Sequence, residues 1–259
     1  MNQIKFTRDI EFNNDGNFFD DHPHESSFYE NSYLAINPNL HDEDAPEKIK
    51  VTKEAIQYLI LRYNFNPRKI IDIGSGSTLI LKNILDFVQS ANRNNPIGLT
   101  VDISSTILKS SPAYENIFKL RADATNLPIK NQFFNLLLMV DLLEHTANPS
   151  NVLSEALRVA NFVIVKTPLE LSLYTLLRGG KFRLQELETK YGHIQHFDYA
   201  QIKRLVGNNK LIYESYVKIP NRSRPLDLLQ DMLIKLRFYS IFRLLFGGFI
   251  VFVVTRENN

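Results

Sequence analysis

Apolar residues recur along this chain in two alternating rhythms. Short continuous or alternating runs occupy 70–73, 97–103, 117–120, 136–140, 162–165, 211–219 and 249–255. Such lengths, rich in Ile, Val and Leu, predict strands. Between them the apolar positions fall three or four apart, as in Ile49, Ile56, Leu59 and Ile60, in Leu81, Ile84, Leu85 and Val88, or in Val152, Leu153, Ala156 and Val159. That spacing places one apolar stripe on each helix. Strand and helix patterns that alternate predict an α/β fold with a mostly parallel sheet and helices on both faces.

The first strand ends abruptly. Ile70, Ile71, Asp72 and Ile73 are followed by Gly74, Ser75, Gly76, Ser77 and Thr78, and a helical pattern starts at Leu79. Strand, glycine turn and helix open a nucleotide-binding unit, with the turn at the carboxyl end of the strand. A phosphate-cradling loop requires a Gly-Lys pair that nothing after Gly74 supplies. A dinucleotide fingerprint requires a third glycine at position 79, where Leu79 stands. What remains is acid-x-Gly-x-Gly. An acid at 72 suits a ligand carrying an ammonium and a sulfonium, and would repel a pyrophosphate.

This pattern resembles motif I of the class I S-adenosylmethionine (SAM) methyltransferases, although Thr78 stands where that family often has a third glycine. Further stretches follow in the family's order. Asp102 closes the second strand, where it can accept both ribose hydroxyls; as Ser104, Ser105, Ile107 and Leu108 follow, capping a helix is the other role open to it. Asp123, Ala124, Leu127 and Pro128 are similar to the family's acid-Ala-x-x-Leu-Pro segment, whose acid binds the adenine amino group. Leu143-Glu144-His145, Asn148-Pro149 and Glu155-Ala156-Leu157-Arg158-Val159 are similar to the stretch after strand four in the small-molecule branch called methyltransferase type 11. The resemblance covers about residues 48–257 and implies a Rossmann-like class I fold with seven strands, the last of which, 249–255, returns antiparallel. It implies a SAM site formed by Asp72, Gly74, Ser75, Gly76, Asp102, Ile103, Asp123 and Ala124, with Asp141 and Leu142 flanking the cofactor. In that branch a Pro-Gly-Gly turn precedes strand five; Ala160-Asn161 is expected to serve here.

The domain is expected over 48–259, with insertions at about 168–192 and 220–245, preceded by a cap segment at 1–47 in which Phe28, Tyr29, Tyr33 and Leu34 pack on the domain. The polar stretch 89–96 reads as a loop. His145 and His193 are the candidate general bases, in that order, because an imidazole titrates near neutrality; His196 shares with His193 the segment after strand five. No metal site is expected: Asp20, Asp21, His22, His24 and Glu25 are grouped, but a solvated loop accounts for them. Cysteine is absent, which excludes thiol nucleophiles and zinc knuckles. A net charge of +2 gives no electrostatic case for nucleic acid. The start of the chain is not built like a signal peptide, so a cytoplasmic enzyme is expected. The amphipathic, partly basic stretch 225–245 reads as a lid, a homodimer face or a peripheral membrane contact. The expected acceptor is a small molecule, a glycan or a lipid-linked compound. A SAM-binding protein without transfer activity, or a nucleotide-dependent oxidoreductase, are the alternatives.

Overall fold

The computed structural model describes residues 29, 30, 35, 38, 42–219 and 223–257. The acidic and histidine group at 20–25, and Phe28, Tyr33 and Leu34, lie outside them. Strand β1 (Lys69–Ile73) pairs in parallel with β2 (Ile97–Asp102) and with β4 (Phe134–Val140), and β2 pairs in parallel with β3 (Ile117–Arg121). With β5 (Ala160–Pro168), β6 (Lys210–Val217) and β7 (Phe249–Thr255) they form one seven-stranded sheet in the order β3-β2-β1-β4-β5-β7-β6. The last pair, β6 and β7, is antiparallel. The chain divides into two compact units, one within 1–140 and 154–164 and the other within 141–153 and 165–259.

In the first unit, Ile70, Ile71, Leu136, Leu137 and Leu138 are fully buried, which is why these strands read as unbroken apolar runs. Helix α1 (Ala45–Tyr63) closes on Asn64 in the left-handed conformation. Helix α2 (Leu79–Asn92) buries Leu81, Ile84, Leu85 and Val88. It continues four residues, 89–92, into the stretch expected as a loop. A Cβ on Gly98 would stand 3.0 Å from both Leu81 and Leu85, so the missing side chain lets α2 approach β2 closely. Helix α3 (Ser105–Ser110) is capped by Ser104, whose Oγ accepts from the Ile107 N–H.

Helix α4 (Pro149–Val159) leads straight into β5 at Ala160. The turn expected at Ala160 and Asn161 is therefore absent. Ala160, buried, and Asn161, exposed, are instead the first two residues of β5.

In the second unit, α5 (Leu173–Leu177) is capped by Ser172, and α6 (Lys181–Tyr191) is closed by Gly192 at φ 78°. Helix α7 (Tyr199–Val206) starts in a full capping box: the Asp198 carboxylate accepts from the Gln201 N–H, and the Gln201 side chain accepts from the Asp198 N–H. The stretch 225–245 is two helices, α8 (Arg224–Lys235) and α9 (Tyr239–Leu245), broken where Arg237 takes φ 60°. Among the described residues no helix is long and apolar enough to cross a membrane.

Gly247 connects α9 to β7 at φ 74°, and a Cβ there would sit 1.9 Å from the Leu169 carbonyl oxygen. Backbone cannot yield as a leucine tip can. Gly247→Ala should therefore lower the unfolding free energy by about 2–4 kcal/mol, from left-handed strain plus overpacking. Gly98→Ala, which meets only flexible leucine ends, should cost less. Urea denaturation of the two variants checks this, and equal losses would refute it.

Candidate active site

The turn after β1 alternates handedness: Gly74, Gly76 and Thr78 have φ of 69°, 52° and 64°. Two of the three are glycine, for which this geometry carries no side-chain cost. Thr78 is β-branched and pays strain of about 1–2 kcal/mol. Its position explains why glycine is frequent there in the family it resembles. The turn is held by the Gly74 N–H donating to the Val101 carbonyl at 2.8 Å and the Thr78 N–H to Ser75 at 3.0 Å. The Ser75 and Thr100 hydroxyls are directly hydrogen-bonded.

Strands β1, β2 and β3 are adjacent and parallel, so their carboxyl ends share one edge of the sheet. That edge collects three of the predicted acids. Asp72 is buried, and its Oδ2 has no hydrogen-bond partner. Burial and the neighbouring Asp102 carboxylate push its carboxyl up to about 8. Asp102 is buried as well and accepts from the Ser104 N–H at 2.9 Å. Burial raises it to about 6, against hydrogen bonds from the Ser104, Gly76 and Ile103 amides that lower it. Ile103 follows directly, and its carbonyl accepts from Arg121 Nε. Asp123 stands two residues past β3; its Oδ1 accepts from the Thr125 N–H at 2.7 Å and the Thr125 hydroxyl at 2.8 Å, an Asx turn that leads from Ala124 into 125–128.

Sequence reasoning missed Glu30. Its carboxylate accepts from Ser104 Oγ at 2.5 Å and from the Ser105 and Thr106 amides, beside Asp102. The helix-starting serines were visible, but no local spacing links them to a residue more than seventy positions earlier.

The second unit holds the remaining predicted residues. Asp141 adopts φ 54°, and its carboxylate takes a 2.5 Å ion pair from Lys166, whose ammonium also lies 3.9 Å from the centre of the Phe249 ring. Lys166 is almost completely buried, at 3% exposure, and was not anticipated. Leu142 is half-buried and enters a short 3-10 turn, Leu143–His145.

The two candidate histidines meet here edge to face, with ring centres 4.9 Å apart. His145 Nδ1 bonds the Gly192 carbonyl at 3.1 Å, and His193 Nδ1 bonds Glu170 Oε1 at 2.6 Å. The other Glu170 oxygen bonds His196 Nδ1. Burial, then the charge of His193, pulls His145 down to about 4. For His193, burial acts downward, but the Glu170 hydrogen bond and the charges of Glu144, Glu170 and Asp141 prevail and raise it. Glu144 is buried, accepts from the Thr167 hydroxyl at 3.0 Å, and is held well above the ordinary carboxylate range by burial and by Asp141. Glu144, Glu170 and Thr167 could not be grouped from sequence, since helix α4 and strand β5 separate Glu144 from Glu170.

Residues 71–161 match the family model described as a methyltransferase domain. No match was found among curated proteins. Among solved structures, the plantazolicin methyltransferase BpumL, bound to a triazolic desmethylPZN analog and SAH, is 12% identical with a TM-score of 0.60, covering 90% of this chain and 95% of its own. The YcgJ protein of Bacillus subtilis is 12% identical with a TM-score of 0.51, covering 74% and 94%. The [4+2]-cyclase SpnF is 12% identical with a TM-score of 0.53, covering 80% and 81%. Residues 71–161 thus match a methyltransferase domain, and the chain has the class I fold of the SAM-dependent methyltransferases.

The two raised acids make stability pH-dependent. Asp72 binds its proton up to about pH 8 when folded and, near the ordinary value of 3.8, loses it when unfolded. The folded state thus holds more protons between those values, and stability should fall as pH rises from about 4 to 8. Without added ligand, Asp72→Asn should flatten that fall and be more stable than the parent at pH 8 by about 1–3 kcal/mol. Denaturant titrations across that range check it, and parallel profiles for parent and variant would refute it.

Proposed function

We propose that the protein transfers a methyl group from SAM to a small-molecule, glycan or lipid-linked acceptor. The observation that carries this is the orphaned Asp72 oxygen, buried in β1 just before a turn rich in left-handed residues and beside a second acid. A buried carboxylate that lacks a partner is costly, and a ligand with an ammonium and a sulfonium offsets that cost on arrival. Asp72, Gly74, Ser75 and Gly76 would hold the amino-acid end, Asp102 and Ile103 the ribose, and Asp123 and Ala124 the adenine. Asp141 and Leu142 are the further contacts proposed. When bound, SAM supplies a sulfonium-activated methyl group, so the chain itself has to align the acceptor, exclude water and remove a proton.

Acceptor activation is assigned to the group around His193. Glu170 orients this imidazole and raises its proton affinity, whereas His145, at about 4, is a weak proton acceptor at neutral pH. Exposed Leu176, Leu177 and Phe182 near Arg178 and Lys181, and exposed Leu228, Met232, Leu236, Phe238 and Leu244 near Lys235, Arg237 and Arg243, favour an acceptor with an apolar part or one reached at a membrane surface.

A second reading is SAM binding without methyl transfer. The cyclase among the structures of this fold supports keeping it, because a fold does not determine chemistry.

Calorimetry should detect SAM binding and none of NAD. Asp102→Ala should weaken SAM by about 1–3 kcal/mol, as a buried charged acceptor is lost. Unchanged affinity would remove Asp102 from the ribose site. Transfer of tritiated methyl from SAM into cell-extract acceptors should fall at least about 100-fold in His193→Ala with SAM affinity retained. Binding without any transfer by the parent protein would support the second reading instead.

A further inference from the structure

We propose that Glu144, His145 and His193 bind a divalent transition-metal cation. Each offers one ligand atom, and the three atoms lie within 4.8 Å of one another. Two imidazoles and one carboxylate form a donor set suited to Zn2+, Fe2+ or Co2+, with coordination positions left for an exogenous oxygen. The surrounding bonds are those a ligating histidine uses. His145 Nδ1 is tied to the Gly192 carbonyl and His193 Nδ1 to the Glu170 carboxylate, so the tautomer each favours presents Nε2 as the coordinating nitrogen. The Thr167 hydroxyl orients the Glu144 carboxylate in the same way.

The backbone supports the same cluster from several elements. The Glu144 carbonyl accepts from the Gln195 N–H at 3.0 Å, linking the turn that carries Glu144 and His145 to the segment that carries His193. Gly192, at φ 78°, ends α6 and turns its carbonyl onto His145. His196 shares Glu170 and so fixes the carboxylate that orients His193. Lys166, the nearby cation, is paired with Asp141.

The role of such a cation rests on the methyl-transfer reading, whereas its binding does not. An acceptor hydroxyl coordinated there is acidified, as metal-bound water is. Its proton leaves to solvent, the oxygen forms the new bond to the methyl carbon, and the sulfur of the donor keeps the electron pair of the bond that breaks. His193 would then act as a ligand rather than as a free base.

The test uses the full-length, chelator-stripped protein titrated with Co2+. Uptake of one equivalent with a visible ligand-field band is expected. Glu144→Gln and His193→Gln should each abolish the band, and Glu170→Gln should weaken Co2+ affinity about 10–100-fold by releasing the His193 orientation. Far-UV circular dichroism identifies any variant that does not fold, and the other substitutions then carry the test. No uptake by the parent protein, or uptake insensitive to the substitutions that fold, would overturn the proposal. SAM binding by the same stripped sample is measured alongside. SAM bound without Co2+ uptake defeats the metal site alone; Co2+ uptake without SAM binding defeats the donor reading and leaves the metal site standing.

Discussion

A carboxylate taken out of water must find a counter-charge or keep its proton. Asp72 sits at the end of β1 with one oxygen unpartnered, and Asp102 adds a second acid at the next strand end. Hydrophobic burial of Ile70, Ile71 and Ile73 drives this acid inward, because the strand that carries it is covered on both faces. The folded chain therefore retains a local electrostatic debt that a cationic ligand removes. Such a conflict between packing and charge is what a binding site looks like before its ligand arrives.

The strained turn belongs to the same logic. Three left-handed residues in five bring backbone amides around the strand end, and Gly76 donates one of them to Asp102. Thr78 keeps this geometry against its own side chain, with its hydroxyl buried and unpartnered. The neighbouring structure over-determines the turn: Gly74 is fastened to Val101, and α2 begins at once at Leu79.

In the second unit the organising group is Glu170. One carboxylate sets two imidazoles, and its bond keeps His193 basic, whereas burial lowers His145, whose Nδ1 meets the Gly192 carbonyl. Two histidines in one cluster thus differ in chemistry because burial prevails at His145, whereas the carboxylates around His193 outweigh it there. The apolar surfaces of α5, α6, α8 and α9 belong to this unit too, in the stretches where the sequence departs most from regular α/β alternation.

The succession of strands and helices and the position of the glycine turn could be read in the sequence because both rest on local patterns: period, length and the residues that permit positive φ. Asp72, Asp102 and Asp123 were found by their place at strand ends, which a parallel sheet brings to one edge. Chain reversals without turn residues, as at Ala160, and a helix break at Arg237 left no such local mark. Neither did the partners of His145 and His193, since Gly192 and Glu170 come to them through folding over distances of 23 to 47 residues. Which histidine is basic, which acid is unpaired and which side chains could share a cation are properties of burial and mutual distance. Those exist only once the chain is folded.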